Sequence, residues 1–379
     1  MITKIKGRVV TKGTVIDGAI YMDDGVISAV GAEQLPCDKE YDFGDSYILP
    51  GMIDVHTHGS VGYDYSEADV SGILSAIRFQ VSRGATSIMP TVTSSTYQQT
   101  YQALENIELA MRDPEYGSCI IGAHLEGPYF SPAQCGAQDK NLILPPVRED
   151  YERLVERFGH IIKRWDYAPE RDEGGKFCEY LKSHGILASA GHTDAKYDHM
   201  LVARECGCNL ITHLYSCTST ITREQGFRKL GVIECAYLWD DMYVEIIADG
   251  KHLPEELLKL IFKLKPHDKI LLITDSMSVS GTADKCGQLG TLNYIIEDGV
   301  CKLLDRSAFA GSIATADVLL KVCAKAGLSI VETSKMGSEN PAVLFGLNKG
   351  RLEVGYDADV IIVDGDLNVL DIFARGIKR

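Results

Sequence analysis

Eight short apolar runs, most of them followed by a helix-forming stretch, divide the middle of this 379-residue chain. They are GMIDVHTHG (51–59), TSIMPTV (86–92), CIIGAHLEG (119–127), IIKRWDYAPE (161–170), ILASAGHT (186–193), NLITHLY (209–215), YVEIIADG (243–250) and KILLITDS (269–276). Between them lie stretches such as VSGILSAIRFQVSRG (70–84) and PEELLKLIFKLK (254–265), which read as helices. Near-continuous apolar runs suit strands buried on both faces, and strand–helix alternation calls for a parallel sheet. Eight such units in about 230 residues match the arithmetic of a (β/α)8 TIM barrel. A doubly wound open sheet is the competing architecture, but the Rossmann glycine fingerprint is absent.

The two ends of the chain have a different texture. Residues 1–50 read as short strands with turn signals, including Asp23-Asp24-Gly25 between apolar alternations, a hairpin signature. The closing stretch RLEVGYDADVIIVDGDLNVLDIFARGIKR offers two or three more strands. A small β-sandwich domain built from both termini, 1–50 and 346–379, would then bracket a barrel over 51–345.

Composition narrows the function classes. Apolar residues make up 45% and charged residues 24%, which are globular values. Lys and Arg number 38 against 53 Asp and Glu, a net charge of −15. That field repels nucleic-acid backbones and anionic membrane surfaces, and an anionic substrate needs a local cationic grip. No apolar run reaches the roughly 18–20 residues of a membrane span, and no secretory leader is visible, so a cytoplasmic location is expected. Eleven scattered cysteines, with Cys206 and Cys208 as a lone C-x-C, read as reduced core thiols.

Ligand-type residues gather at the C-terminal ends of the strands, where a barrel carries its catalytic groups. His56 and His58, at i and i+2, point to one side of the first strand. Glu126 closes the third strand, His192 the fifth, His213 the sixth and Asp275 the eighth. Three histidine-bearing strands and two carboxylates on one rim have the composition of a divalent transition-metal site for Zn²⁺ or Fe²⁺, with Co²⁺ and Mn²⁺ as further candidates. Such an ion acidifies water and polarises a carbonyl. Asp275 suits the proton transfers of an amide hydrolysis, and a ligand role for it stays open beside that one. His124, two residues before Glu126, has a support role and a packing role equally open.

In this order, PGMIDVHTHG, HLEGPYFSP, GHTDA, THLY, ADGKH and TDS resemble the amidohydrolase superfamily, and within it the N-acetylglucosamine-6-phosphate deacetylases. GSIAT (311–315), ENPAVLFGL and the closing DADVIIVD extend the resemblance to nearly the whole chain. It implies a metal-dependent hydrolase that converts N-acetylglucosamine 6-phosphate to glucosamine 6-phosphate and acetate, working as a homodimer. It also implies that Glu126, His192 and His213 hold the principal metal. His56 and His58 would form a second site, with Glu126 as the bridge, so one or two ions bind per subunit. Asp275 would be the general base and acid. Substrate contacts are implied for Ala137, Ser216, Cys217, Arg223, His252 and the run Phe309, Ala310, Gly311.

The chain departs from the family pattern in two places. Ser216-Cys217 stands where Asn-Ala is common, and Gln138 follows Gly136-Ala137 where a histidine is common. These changes put the identity of the sugar in doubt. Backbone N–H groups at Ser216 and Cys217 would still offer donors, with Arg223, ahead of Arg228 and Lys229, as the first choice for the phosphate. The alternatives are deacetylation of another N-acyl amino sugar, such as N-acetylgalactosamine 6-phosphate or an unphosphorylated sugar, and hydrolysis of a cyclic amide or an aminated base. Cyclic-amide hydrolases usually bridge their metals with a carboxylated lysine on strand four. Here that strand ends in Tyr167-Ala168-Pro169-Glu170, with Lys163 near its start. A barrel kept as a non-enzymatic scaffold would shed its ligands, and this one retains them.

Overall fold

The computed structural model describes residues 1–32 and 34–379. All eight apolar runs become strands of one parallel sheet: Met52–Thr57, Ala85–Thr93, Ala123–Glu126, Ile162–Tyr167, Leu187–Ala190, Leu210–Ile211, Tyr243–Ile247 and Ile270–Ile273. The sheet closes between its last and first strands. The Asp275 N–H donates to the His56 carbonyl at 2.9 Å, and the His58 N–H donates to the Ser276 carbonyl at 2.8 Å. Every residue of Ala85–Thr93 and Tyr243–Ile247 is buried, as strands covered on both faces require.

The intervening helices cover the barrel with one apolar stripe each. In Val70–Val81 the buried positions Ile73, Ala76, Ile77, Gln80 and Val81 follow the 3.6-residue period. Asp69 caps that helix by accepting the Gly72 N–H at 2.8 Å. Glu255–Leu264 buries Leu258 and Ile261 and exposes its charges.

The two chain ends share one seven-stranded sheet, in which Val360–Val363 pairs antiparallel with Lys39–Pro50. The hairpin expected at Asp24-Gly25 joins Thr14–Asp23 to Val26–Gly31, with φ of +47° and +78° at the turn. Beyond Val26 the sheet curls back: the Ile27 N–H donates to the Tyr356 carbonyl at 2.8 Å. Ile5, Val9, Ile20, Ile48, Val360, Ile362 and Phe373 fill a core of its own.

One element has no counterpart in the sequence reading. Residues 286–311 form a four-stranded antiparallel sheet inserted after the eighth barrel strand. Its last strand, Phe309–Gly311, returns to the rim of the barrel, where the Ser312 N–H donates to the Asp275 carbonyl at 2.8 Å.

Candidate metal centre

The six ligand-type residues meet at the C-terminal mouth of the barrel. His56 lies in the first strand, His58 just past it, and Glu126 ends the third. His192, His213 and Asp275 each stand two residues beyond a strand end, with φ of +46°, +27° and +49°. Left-handed backbone at a non-glycine residue costs about 1–3 kcal/mol and gathers at functional sites.

Glu126, His192 and His213 form the tighter group. His192 Nδ1 lies 3.1 Å from the Gln134 carbonyl, and His213 Nδ1 lies 3.1 Å from the Ser216 carbonyl. A carbonyl only accepts, so each Nδ1 carries a proton, and Nε2 is the atom left to present a lone pair to an ion. Those two Nε2 atoms are 3.2 Å apart, and both are 3.1 Å from Glu126 Oε1. Three acceptor atoms this close repel each other unless a proton or a metal cation sits among them. Two imidazoles and a carboxylate are borderline donors that fit a divalent transition metal.

The second group is His56, His58 and Asp275. His58 Nε2 lies 3.2 Å from Asp275 Oδ1 and 3.3 Å from Glu126 Oε2. His56 Nε2 is 3.5 Å from Glu126 Oε1 and 3.5 Å from Asp275 Oδ1, and has no hydrogen-bond partner. Glu126 therefore faces both groups. Gln138 holds it there: its side-chain oxygen accepts the Ser94 N–H at 3.0 Å and the Thr93 hydroxyl at 2.8 Å. That leaves its amide nitrogen to donate to Glu126 Oε2 at 3.0 Å. Burial pushes the Glu126 carboxyl up, but the surrounding His56, His192 and His213 outweigh it and hold it well below the usual carboxylate range. Burial pushes His58 down, yet Asp275 and Glu126 raise it to about 9. Two buried carboxylates call for positive charge here, whether as protons or as an ion.

A buried polar layer lies beneath. Arg164 Nε donates to Asp166 Oδ1 at 2.9 Å, and its Nη2 donates to Glu245 Oε2 at 2.9 Å. Glu245 Oε2 is 3.4 Å from His56 Nδ1. His124 belongs to this layer: its Nε2 is 3.0 Å from Asp166 Oδ2 and its Nδ1 is 3.0 Å from Thr91 Oγ1. Burial and the Arg164 charge push His124 down to about 4, so it is neutral. Sequence reasoning missed Arg164, Asp166 and Glu245. The signal was there, as charged residues inside apolar strand runs, two of them at i and i+2. Lys163 is elsewhere, its amine on the His160 carbonyl at 3.0 Å.

A cavity of about 420 Å³ opens above the two groups. Ala137, Ser216, Cys217, His252, Phe309 and Ala310 line it together with His58, Glu126, His192, His213 and Asp275. Gly311 lies just behind, where a Cβ would meet Met277 Sδ at 2.6 Å. Two expected residues stand differently from the rest. The Ser216 N–H is taken by the His213 carbonyl at 2.8 Å, because the chain turns tightly to bring His213 inward, so Ser216 offers its hydroxyl and not its N–H. Arg223 does not join the cavity wall; it stands on an exposed hairpin, Thr222–Glu224 paired with Phe227–Lys229. Among the described residues no Lys or Arg lines this cavity. Cys206 and Cys208 are buried free thiols away from it, and no helix among the described residues is long and apolar enough to cross a membrane.

The Amidohydrolase family profile matches residues 47–377. An N-acetylglucosamine-6-phosphate deacetylase of Bacillus subtilis is 34% identical over 378 residues, spanning 97% of this chain and 94% of that one. The solved structure of N-acetylglucosamine-6-phosphate deacetylase from Thermotoga maritima superposes with a TM-score of 0.88 at 30% identity, covering 100% of this chain and 99% of the other. A mutant of the Mycobacterium smegmatis deacetylase, solved in complex with N-acetyl-D-glucosamine-6-phosphate, superposes with a TM-score of 0.91 at 26% identity, covering 100% and 98%. The chain belongs to the amidohydrolase family, among the N-acetylglucosamine-6-phosphate deacetylases.

Proposed function

We propose that this chain hydrolyses the acetamide of N-acetylglucosamine 6-phosphate, giving glucosamine 6-phosphate and acetate. The observation that carries the reading is the convergence of His192 Nε2, His213 Nε2 and Glu126 Oε1 at the floor of a cavity that also contains Asp275. Glu126, His192 and His213 would hold one divalent ion, and His56 and His58 a second, with Glu126 shared between them. When bound, such an ion supplies Lewis acidity for the amide carbonyl and acidifies water.

The protein's own groups do the rest. Asp275 accepts the proton of the attacking water and delivers it to the amine nitrogen as the C–N bond breaks. Gln138 fixes the Glu126 carboxylate through its amide donor. His252, the Ser216 hydroxyl and the apolar wall of Ala137, Phe309 and Ala310 seat the sugar. Arg223 is proposed for the 6-phosphate although its hairpin stands outside the cavity wall, so it would act only if that hairpin or a second subunit's brings the guanidinium to the sugar. Arg223→Ala should then raise KM for the phosphorylated sugar and leave turnover of the unphosphorylated one unchanged. The enzyme would work in the cytoplasm as a homodimer.

Acetate release from a panel of N-acetyl hexosamines, with and without 6-phosphate, tests the assignment on protein reconstituted with Zn²⁺ or Fe²⁺. N-acetylglucosamine 6-phosphate should give the highest kcat/KM. A preference for N-acetylgalactosamine 6-phosphate or for an unphosphorylated sugar would replace this reading with its nearest rival.

A further inference from the structure

The loop after the seventh barrel strand holds a carboxylate that the reaction above does not use. The Asp249 side chain is 3% exposed, and both its oxygens have partners. Oδ1 accepts the backbone N–H groups of Lys251 and His252, each at 2.8 Å. Oδ2 lies 2.8 Å from His252 Nδ1. With Oδ1 taken by two backbone donors, Oδ2 is left to accept from Nδ1, which places a ring proton on Nδ1 and leaves Nε2 as the atom that faces away from Asp249. His252 lines the cavity, and Phe309 holds its ring edge-on at a centroid distance of 5.0 Å.

We propose that Asp249 is a positioning residue that fixes the tautomer of His252, so that Nε2 accepts a hydrogen bond from a hydroxyl group of the bound amino sugar. The proposal rests on the deacetylase reading. It makes an unusual demand on two variants. In Asp249→Asn the amide oxygen must stay opposite the two backbone N–H donors, which no NH₂ group can face. The amide nitrogen then points at His252 Nδ1 and donates to it, and the ring proton moves to Nε2. A donor now meets the sugar hydroxyl where an acceptor stood. In Asp249→Ala the ring is free to take either tautomer. A purely structural role predicts the reverse order, since asparagine keeps the two backbone bonds and alanine loses them.

The test is steady-state kinetics of the metal-loaded enzyme on N-acetylglucosamine 6-phosphate, with ¹⁵N spectra of histidine-labelled protein. Asp249→Asn should raise KM about tenfold, leave kcat within about threefold, and exceed the effect of Asp249→Ala. Its metal content and unfolding temperature should match the parent's, and the His252 resonances should show the proton moved from Nδ1 to Nε2. An Asn variant milder than the Ala variant, or with unchanged ring resonances, overturns the inference while the deacetylase reading stands. A parent that releases no acetate from this sugar overturns both.

Discussion

Replacing Arg164 by methionine removes a guanidinium from a fully buried cluster and leaves two carboxylates behind. Arg164, Asp166 and Glu245 are each 0% exposed. Asp166 loses donors at 2.9 and 3.1 Å, and Glu245 loses one at 2.9 Å and a shorter one from Nη1. Stripping one partner from a buried ion pair costs about 3–5 kcal/mol, because the charge left behind has neither water nor a counter-ion. At roughly 2.1 cal/mol/K per residue, a 379-residue chain has an unfolding entropy of about 0.8 kcal/mol/K. The melting temperature should therefore fall by about 4–6 °C at pH 8.

The loss should depend on pH. Burial pushes Asp166 up in the parent, but Arg164 and His124 hold it far below the usual carboxylate range. The stabilisation from that depressed pKa is complete above the unfolded value near 4 and is lost only in more acidic solution. In the variant only His124 and the Ser189 and Thr212 hydroxyls still oppose burial, so the folded-state pKa rises and protonation relieves the penalty as pH falls toward 5. Calorimetry of both proteins at pH 8 and pH 5, with chelator present throughout, should show the gap narrowing. Adding Asp166→Asn and Glu245→Gln should recover most of the loss, since the orphaned charges are gone. A gap below about 1 °C at pH 8, or one of equal size at both pH values, would refute the reasoning.

Chelation should abolish amide hydrolysis, and Zn²⁺, Fe²⁺, Co²⁺ or Mn²⁺ should restore it; full activity in protein shown to be metal-free by mass spectrometry would end the metal mechanism. His192→Ala or His213→Ala should lose metal and activity together, whereas His56→Ala with His58→Ala should lose one ion and keep the other, as a metal count per chain would reveal. Asp275→Asn should keep its metal while kcat drops about 10²- to 10⁴-fold, and turnover within a few-fold of the parent would remove Asp275 from the proton path. Gly136→Ala would place a Cβ 2.4 Å from Cys217 Sγ at a residue with φ of +55°, so KM should rise; adding Cys217→Ala should relieve the contact but not the backbone strain, giving partial recovery in the same assay.

The barrel and its rim of ligand-type residues were legible because both depend on neighbours close in sequence. An apolar run of strand length buries itself whichever strand lies beside it, and a residue at the end of such a run projects from the C-terminal mouth. His56, His58, Glu126, His192, His213 and Asp275 follow from that rule alone. The helix over Val70–Val81 and the Asp24-Gly25 turn are local in the same sense. What only the tertiary structure decided are the partners that cross the barrel. The protons of His192 and His213 are set by the Gln134 carbonyl, 58 residues away, and by the turn at Ser216. Arg164 meets Glu245 across 81 residues, and Gln138 reaches Glu126 only because the loop after the third strand folds back over the rim. The same turn consumes the Ser216 N–H, and the hairpin carrying Arg223 stands away from the cavity wall. Periodicity records which face of an element is apolar. It carries no information about which donor a given acceptor meets, because that is fixed by loops that touch only after the barrel has closed.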